Sequence, residues 1–290
     1  MTSHIVPASA PAMPIDAYLK RAYPMLPNAI LRSTLKARDI RVNKIKCDRE
    51  MTVHPGDRVD IFIDPKYLTG PPAVLWEGEG LLALEKPAGL PVDADEHGIG
   101  EDTLIARARA IYPTAQLCHR LDANTGGVIL LATKDEAHAR ALEAFKRNEV
   151  ERIYACRVKG IPEHAEATLN AYLIKDSKTS TVTVIDDPRP CALPISTAYR
   201  LIETQEGISE LEVRLITGRT HQIRAHLAHI GLPILGDDKY GDRAFNRAQG
   251  AKRMALWCKR VAIWGHVIES EHEFGHLTKS KIMTNPEVKV

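Results

Sequence analysis

Three groups of residues have the types and spacing for chemistry. Asp122 follows His119, Arg120 and Leu121 and precedes a turn-prone segment, Ala123 to Gly127. The apolar run Val128 to Ala132 after that turn has the signature of a buried strand. A carboxylate in a loop at the edge of a core strand is held by a rigid scaffold, where catalytic groups are often placed. The same position suits an aspartate that merely caps its own turn. Secondly, Arg214 to His229 carries three arginines (Arg214, Arg219, Arg224) and three histidines (His221, His226, His229) with no acid, a surface fit for phosphate. A metal site is not expected, because His226 and His229 lack the Asp, Glu or Cys needed to complete a ligand set. Thirdly, Lys86 is held extended by Pro87 beside a strand end, where a lysine either reaches phosphate or stays solvated.

These groups need elements to position them. Alternation from Arg152 to Val158 predicts a strand carrying Tyr154, for which core packing is the commoner role. Helices are predicted over Leu104 to Ile111, from Lys134 to about Arg147, and from about Thr220 to a stop at Gly231, the last with a stripe at Ile223, Leu227 and Ile230. Ser196 to Glu203 and Ser209 to Ile216 read as antiparallel strands around the turn at Gln205 to Gly207, and Lys175 to Thr183 as a hairpin.

With 290 residues, 44% hydrophobic, the chain can bury a full core as one large domain or two unequal ones. A net charge of +2 points to no polyanionic partner by itself, so the local distribution has to decide. Five cysteines without a Cys-x-x-Cys pair argue against zinc and against a disulfide framework. With no signal pattern and no run of membrane-spanning length, the expectation is a soluble, cytoplasmic monomer. Residues 1–14, rich in Ala, Pro and Ser, are expected to be disordered or loosely attached. Arg32 to Lys46 then concentrates six basic residues (Arg32, Lys36, Arg38, Arg41, Lys44, Lys46) against Asp39 alone, either a solvated face or one that meets RNA phosphate. Thr69 to Pro72 has linker composition and divides the chain into regions 13–68 and 73–290.

Two resemblances join these pieces. Ile15 to Leu19, the basic helix, Arg41-Val42-Asn43 and Pro55 to Val59 together resemble the small RNA-binding module of ribosomal protein S-four, which implies binding to structured RNA. Lys86 to Leu90, then His119-Arg120-Leu121-Asp122 with Thr125-Gly126-Gly127, then Arg152 to Ala155, then Gly218 to Arg224 resemble the RluA family of pseudouridine synthases. That resemblance implies a cofactor-free isomerase acting on uridine, with large-subunit ribosomal RNA as the expected substrate. Transfer RNA, or a non-catalytic role in RNA binding or ribosome assembly, is the alternative. By the same resemblance Asp122 matches the nucleophile, Tyr154 the aromatic residue stacked on the target uracil, and Arg219 the arginine paired with the aspartate. Arg120 matches the residue that helps displace the target nucleotide. His119, Arg152 and Arg224 are expected to meet the RNA beside that site, and Lys36, Arg38 and Arg41 to meet it in the amino-terminal module. The implied fold is α+β: a small S-four-like module, then a domain built on a mixed, mainly antiparallel sheet flanked by helices.

Overall fold

In the computed structural model, the residues described are 2–6, 10–23, 26, 28–47, 50–63, 72–93, 103–176, 181–272 and 274. The amino-terminal region runs β1 (Thr2–Ile5), β2 (Met13–Pro14), α1 (Ile15–Ala22), α2 (Asn28–Ala37), β3 (Ile40–Val42), β4 (Ile45–Lys46), β5 (Thr52–Val53) and β6 (Arg58–Ile61). α1 and α2 each bury one stripe, Ile15, Tyr18 and Leu19 on the first and Leu31 and Leu35 on the second, over Ile40, Val42, Val59 and Ile61. The turn at Asn43 and Lys44, both at positive φ, joins β3 to β4. Asn43 accepts from the Arg58 amide and donates to Asp57, tying this hairpin to the start of β6.

One expectation fails here. Residues 2–5 are not loose: β1 pairs antiparallel with β6 from Thr2–Ile61 to Ile5–Arg58, and Val6 is buried. The ladder is made by backbone groups, so a short segment without side-chain periodicity can still fill the edge. Most of the expected linker, Thr69 to Pro71, and the tip of the Lys175 to Thr183 hairpin, residues 177–180, lie outside the described residues.

The remainder runs β7 (Ala73–Gly78), β8 (Leu81–Lys86), α3 (Leu104–Arg109), β9 (Gln116–Leu117), β10 (Gly126–Ala132), α4 (Asp135–Lys146), β11 (Glu151–Lys159), β12 (Glu166–Asp176) and β13 (Thr181–Ile185). It continues with β14 (Leu193–Gln205), β15 (Ile208–Leu215), α5 (Gln222–His229), α6 (Arg243–Ala248), β16 (Leu256–Ile263) and β17 (His266–Glu269). Eleven of these strands form one sheet in the order β13-β12-β14-β15-β11-β16-β10-β8-β7, with β17 paired to β16 and β9 to β10. Its pairing is antiparallel among the described residues except where Gly126 and Gly127 run parallel to Trp257 and Cys258. Only glycine permits that contact. A Cβ on Gly127 would stand 2.2 Å from the Cys258 carbonyl oxygen, and its φ of +104° is itself unfavourable for a side chain. Every residue of β10 is buried, so the loop immediately before it is anchored on a fully buried strand. Among the described residues no helix is long and apolar enough to cross a membrane.

Candidate active site

Asp122 stands at the end of the loop that enters β10. Leu121 is buried, and the Thr125 amide donates to the Asp122 carbonyl at 3.0 Å, so the backbone closes the turn. The carboxylate is thereby free of the capping role its loop position allowed. Its Oδ2 accepts instead from Arg224 Nη1 at 3.0 Å, and its Oδ1 lies 3.9 Å from His221 Nε2. Asp122 opens onto a cleft of about 1070 Å³, also lined by Arg120, Tyr154, Arg152, Arg219 and Lys239.

Lys86 fixes the loop from behind. Lys86 continues the period-two face of Leu82 and Leu84 and is fully buried at the end of β8. Its ammonium donates to the carbonyls of Pro87 (3.0 Å), Leu90 (2.6 Å) and Ala123 (2.7 Å), which uses all three of its protons. Gly89 donates to the same Ala123 carbonyl. Burial draws the Lys86 pKa down to about 7, opposed by the nearby Asp122 charge. Lys86 is therefore a clamp between the two loops, neither a phosphate ligand nor a solvated lysine.

The expected pairing of Arg219 with Asp122 is corrected. The arginine that meets the carboxylate is Arg224, in the first turn of α5. α5 packs against β12, β13 and β14, and it buries Gln222, Arg224 and His226 as well as Ile223 and Leu227. Of the expected stripe, only Ile230 is exposed. Arg224 is 4% exposed and forks onto Asp237 through Nε (2.7 Å) and Nη2 (2.8 Å), with Asp238 at 3.1 Å. Burial lowers its pKa, but Asp237 and Asp122 outweigh that and raise it. Four hydrogen bonds to carboxylates thereby engage this guanidinium, and Arg224 also lines the cleft. Arg219 is exposed on the loop ahead of α5, where its backbone amide donates to Gln222 Oε1.

His119 is likewise committed: its Nε2 accepts from the Leu130 amide at 3.0 Å, and its ring lies 4.8 Å from that of Phe145. Burial and the Arg152 charge draw its pKa down to about 3, so it is neutral and ties the loop to β10. Arg152 is mostly buried on the cleft wall, with its guanidinium over the Phe145 ring and its Nε unbonded among the described residues. Tyr154 is buried beside it, and burial raises its pKa well above the ordinary value. In the amino-terminal region Lys36 and Arg38 are exposed, whereas Arg41 is half-buried over the Phe62 ring. His226 and His229 go to Thr197 (3.1 Å) and Asp186 (2.8 Å) respectively.

The roles of Lys86, Asp237 and Tyr240 were not read from sequence. Lys86 left one trace, its place in step with Leu82 and Leu84. Asp237 and Tyr240 left none, because their partners lie on α5 and β13.

A family model for RNA pseudouridylate synthase matches residues 80–229. The ribosomal large subunit pseudouridine synthase C of Vibrio vulnificus is 31% identical over 269 residues, covering 85% of this chain and 83% of its own. The ribosomal large subunit pseudouridine synthase D of Xylella fastidiosa is 30% identical over 281 residues, covering 92% of this chain and 84% of its own. The structure of human RNA pseudouridylate synthase domain containing 1 shares the fold with a TM-score of 0.58 at 23% identity, over 69% of this chain and 82% of that one. The matched span holds Asp122, Tyr154 and Arg224, and the chain belongs to the RluA family of RNA pseudouridylate synthases, isomerases that convert uridine to pseudouridine in RNA.

Proposed function

We propose that this chain modifies large-subunit ribosomal RNA, with Asp122 as the carboxylate that attacks the target nucleotide. The observation that carries this reading is the lock on Asp122: Oδ2 is bonded to a buried Arg224, beside the cleft that Asp122 lines. Isomerisation breaks the bond from N1 to the ribose, turns the uracil and rejoins it through C5. The proton lost from C5 balances the one gained at N1, so the sum needs neither oxidant nor cosubstrate. A carboxylate aimed by an arginine that is itself fixed bidentately on Asp237 is preorganised for such an attack. Tyr154, lining the same cleft, is the ring proposed to stack on the flipped uracil, and exposed Arg120 the side chain that enters the helix in its place. Unstacking costs a few kcal/mol, which base–aromatic stacking offsets at about 1–3 kcal/mol per base. Arg152 and Arg219 supply positive charge to the cleft wall for the flanking phosphates.

The choice of RNA rests on relatives named for the ribosomal large subunit, about 30% identical over four fifths or more of this chain. Residues 13–68 are proposed as an S-four-like RNA-binding domain and 73–290 as the catalytic domain. Support comes from the basic face of α2 and from the separate apolar core of the first region. Mapping pseudouridines across all RNA of a strain with and without this protein tests the substrate. Positions lost from large-subunit RNA on deletion, and restored by the wild type but not by Asp122→Asn, are expected. Loss confined to transfer RNA, or restoration by Asp122→Asn, would overturn the reading.

A further inference from the structure

We infer that His221 is a further substrate-binding residue, whose Nε2–H donates a hydrogen bond to the ribose 2′-oxygen of the target nucleotide. This rests on Asp122 being the reactive carboxylate. His221 Nε2 stands 3.9 Å from Asp122 Oδ1, while Arg224 holds the other oxygen, Oδ2. The side chain is 13% exposed and opens onto the cleft.

The tautomer follows from Tyr240. Its hydroxyl oxygen accepts from the Val182 amide at 2.9 Å and meets His221 Nδ1 at 2.9 Å. Burial raises the Tyr240 pKa, so the hydroxyl keeps its proton. Among the described residues His221 Nδ1 is the acceptor available to that proton, so Tyr240 donates and Nδ1 is bare. Burial, with Arg224 and Lys239 nearby, lowers the His221 pKa against the pull of Asp122 and Asp237. The neutral ring therefore carries its proton on Nε2, pointing at the gap beside Oδ1.

The backbone is held for this purpose. His221 has φ 53° and ψ 17°, a left-handed conformation that is unfavourable for a non-glycine residue. Gln222 over-determines it, accepting from the Arg219 amide and Thr217 Oγ1 and donating to the Ser196 carbonyl and Thr197 Oγ1.

The chemistry of the gap selects its occupant. One wall is a carboxylate oxygen, which accepts, and the other an N–H, which donates. An oxygen about 2.8 Å from each fits across the 3.9 Å separation. It must donate to one and accept from the other. A uracil carbonyl or a phosphate oxygen only accepts and would leave Asp122 unmet, whereas the 2′-hydroxyl does both. The contact would let the site distinguish RNA from DNA at the nucleotide it modifies.

The test uses the full-length protein and a ribosomal RNA fragment containing a target uridine mapped as above. The ribose fragment serves as substrate, and the same fragment with 2′-deoxyribose at that one nucleotide as competing inhibitor. For the wild type, Ki of the deoxy fragment should exceed KM of the substrate about tenfold. With His221→Asn, which tolerates the left-handed backbone and keeps a partner for Tyr240 but places no atom at Nε2, the two should agree within twofold. His221→Gln, whose amide reaches the Nε2 position, should restore most of the preference. Tyr240→Phe, which frees the tautomer, should weaken it and serves as the second variant if His221→Asn does not fold. A ribose preference unchanged in His221→Asn, or unchanged in Tyr240→Phe should that variant be needed, would overturn the proposal. Turnover by Asp122→Asn would instead overturn the reading beneath it.

Discussion

Arg224 ties Asp122 to Asp237: one guanidinium reaches Asp122 Oδ2 at 3.0 Å and both oxygens of Asp237 at 2.7 and 2.8 Å. Asp237 has no exposed side-chain surface, so its charge is tolerated only while paired. Its carboxyl is held below the usual range by Arg224 and by the amides of Lys239 and Tyr240, against the opposing effect of burial. The carboxylate proposed to react thus depends on a second, fully buried acid.

Arg224→Lys should therefore damage stability and activity together. A lysine cannot fork onto Asp237 while reaching Asp122, so one buried carboxylate loses its partner at a cost of about 3 kcal/mol or more. Turnover should fall about a hundredfold or more, because Asp122 loses its aim. Urea denaturation and single-turnover rates read the two effects. A variant with the wild-type midpoint would show that Asp237 does not need this arginine.

Asp122→Asn should separate chemistry from architecture. Asparagine keeps an oxygen for Arg224 Nη1, and Arg224 retains its bonds to Asp237, so the fold should stand within about 1 kcal/mol. Turnover should be abolished while binding to ribosomal RNA persists. Binding lost in parallel would mean that the residue shapes the loop and does not react.

How much of this was legible in the sequence divides along physical lines. The strand at Val128 to Ala132 and the helix after it follow from local periodicity, and both stand where periodicity puts them. Asp122 was visible because His119, Arg120 and Leu121 precede it and glycines follow. The pairing of Arg219 with Asp122 failed because two arginines five positions apart satisfy the same text. Only the direction of α5, which begins at Gln222 and buries its first turn, decides between them. The stripe of Ile223, Leu227 and Ile230 leaves out Arg224, which α5 also buries. That stripe assumed one solvent face, and α5 has little. Lys86 misled for a related reason: a lysine reads as solvated unless the three carbonyls that converge on it are known, and these come from positions up to 37 apart.

Lys86→Met should show what the clamp contributes. The methionine fills the space but donates nothing, leaving the carbonyls of Pro87, Leu90 and Ala123 short of a partner in a buried setting. Burying the ammonium has its own cost, so the net loss should be about 2–3 kcal/mol. Ala123 adjoins Asp122, so kcat should fall more than KM rises. An equal or higher melting temperature would show that desolvation of the ammonium outweighs its three bonds.

Acid should unfold the protein through its neutral histidines. Burial draws the His226 pKa from 6.5 to about 4 in the fold, and His226 is 1% exposed. Below pH 6.5 the unfolded chain takes up a proton that the folded one refuses. This stability is complete above pH 6.5 and is lost as pH falls towards 4. At about 1.4 kcal/mol per unit, the loss by pH 4.5 is roughly 2–3 kcal/mol. His119 acts in the same direction, with its folded pKa at about 3. His226→Asn keeps a polar partner for Thr197 and cannot titrate, so its urea midpoint should fall less between pH 7 and 4.5. Parallel slopes for the two proteins would remove His226 from the account.

The amino-terminal basic face makes the last prediction, on binding alone. Lys36 and Arg38 are exposed at the end of α2 and just beyond it, and Arg41 lies on β3 against Phe62. Each of these cations that neutralises a phosphate releases counterions, so log K should fall with log salt by about 0.7–0.9 per contact. Replacing all three by alanine should weaken binding to ribosomal RNA and reduce the slope by up to about 2–3 units. Arg41 should contribute least through charge, because its guanidinium already stacks on Phe62 and lies near Asp60. The rate constant for chemistry on bound RNA should not change, since Asp122, Arg224 and Tyr154 belong to the other region. Filter binding across a salt series, with single-turnover kinetics at saturating enzyme, measures both quantities. An unchanged slope would mean that this face meets water and not RNA.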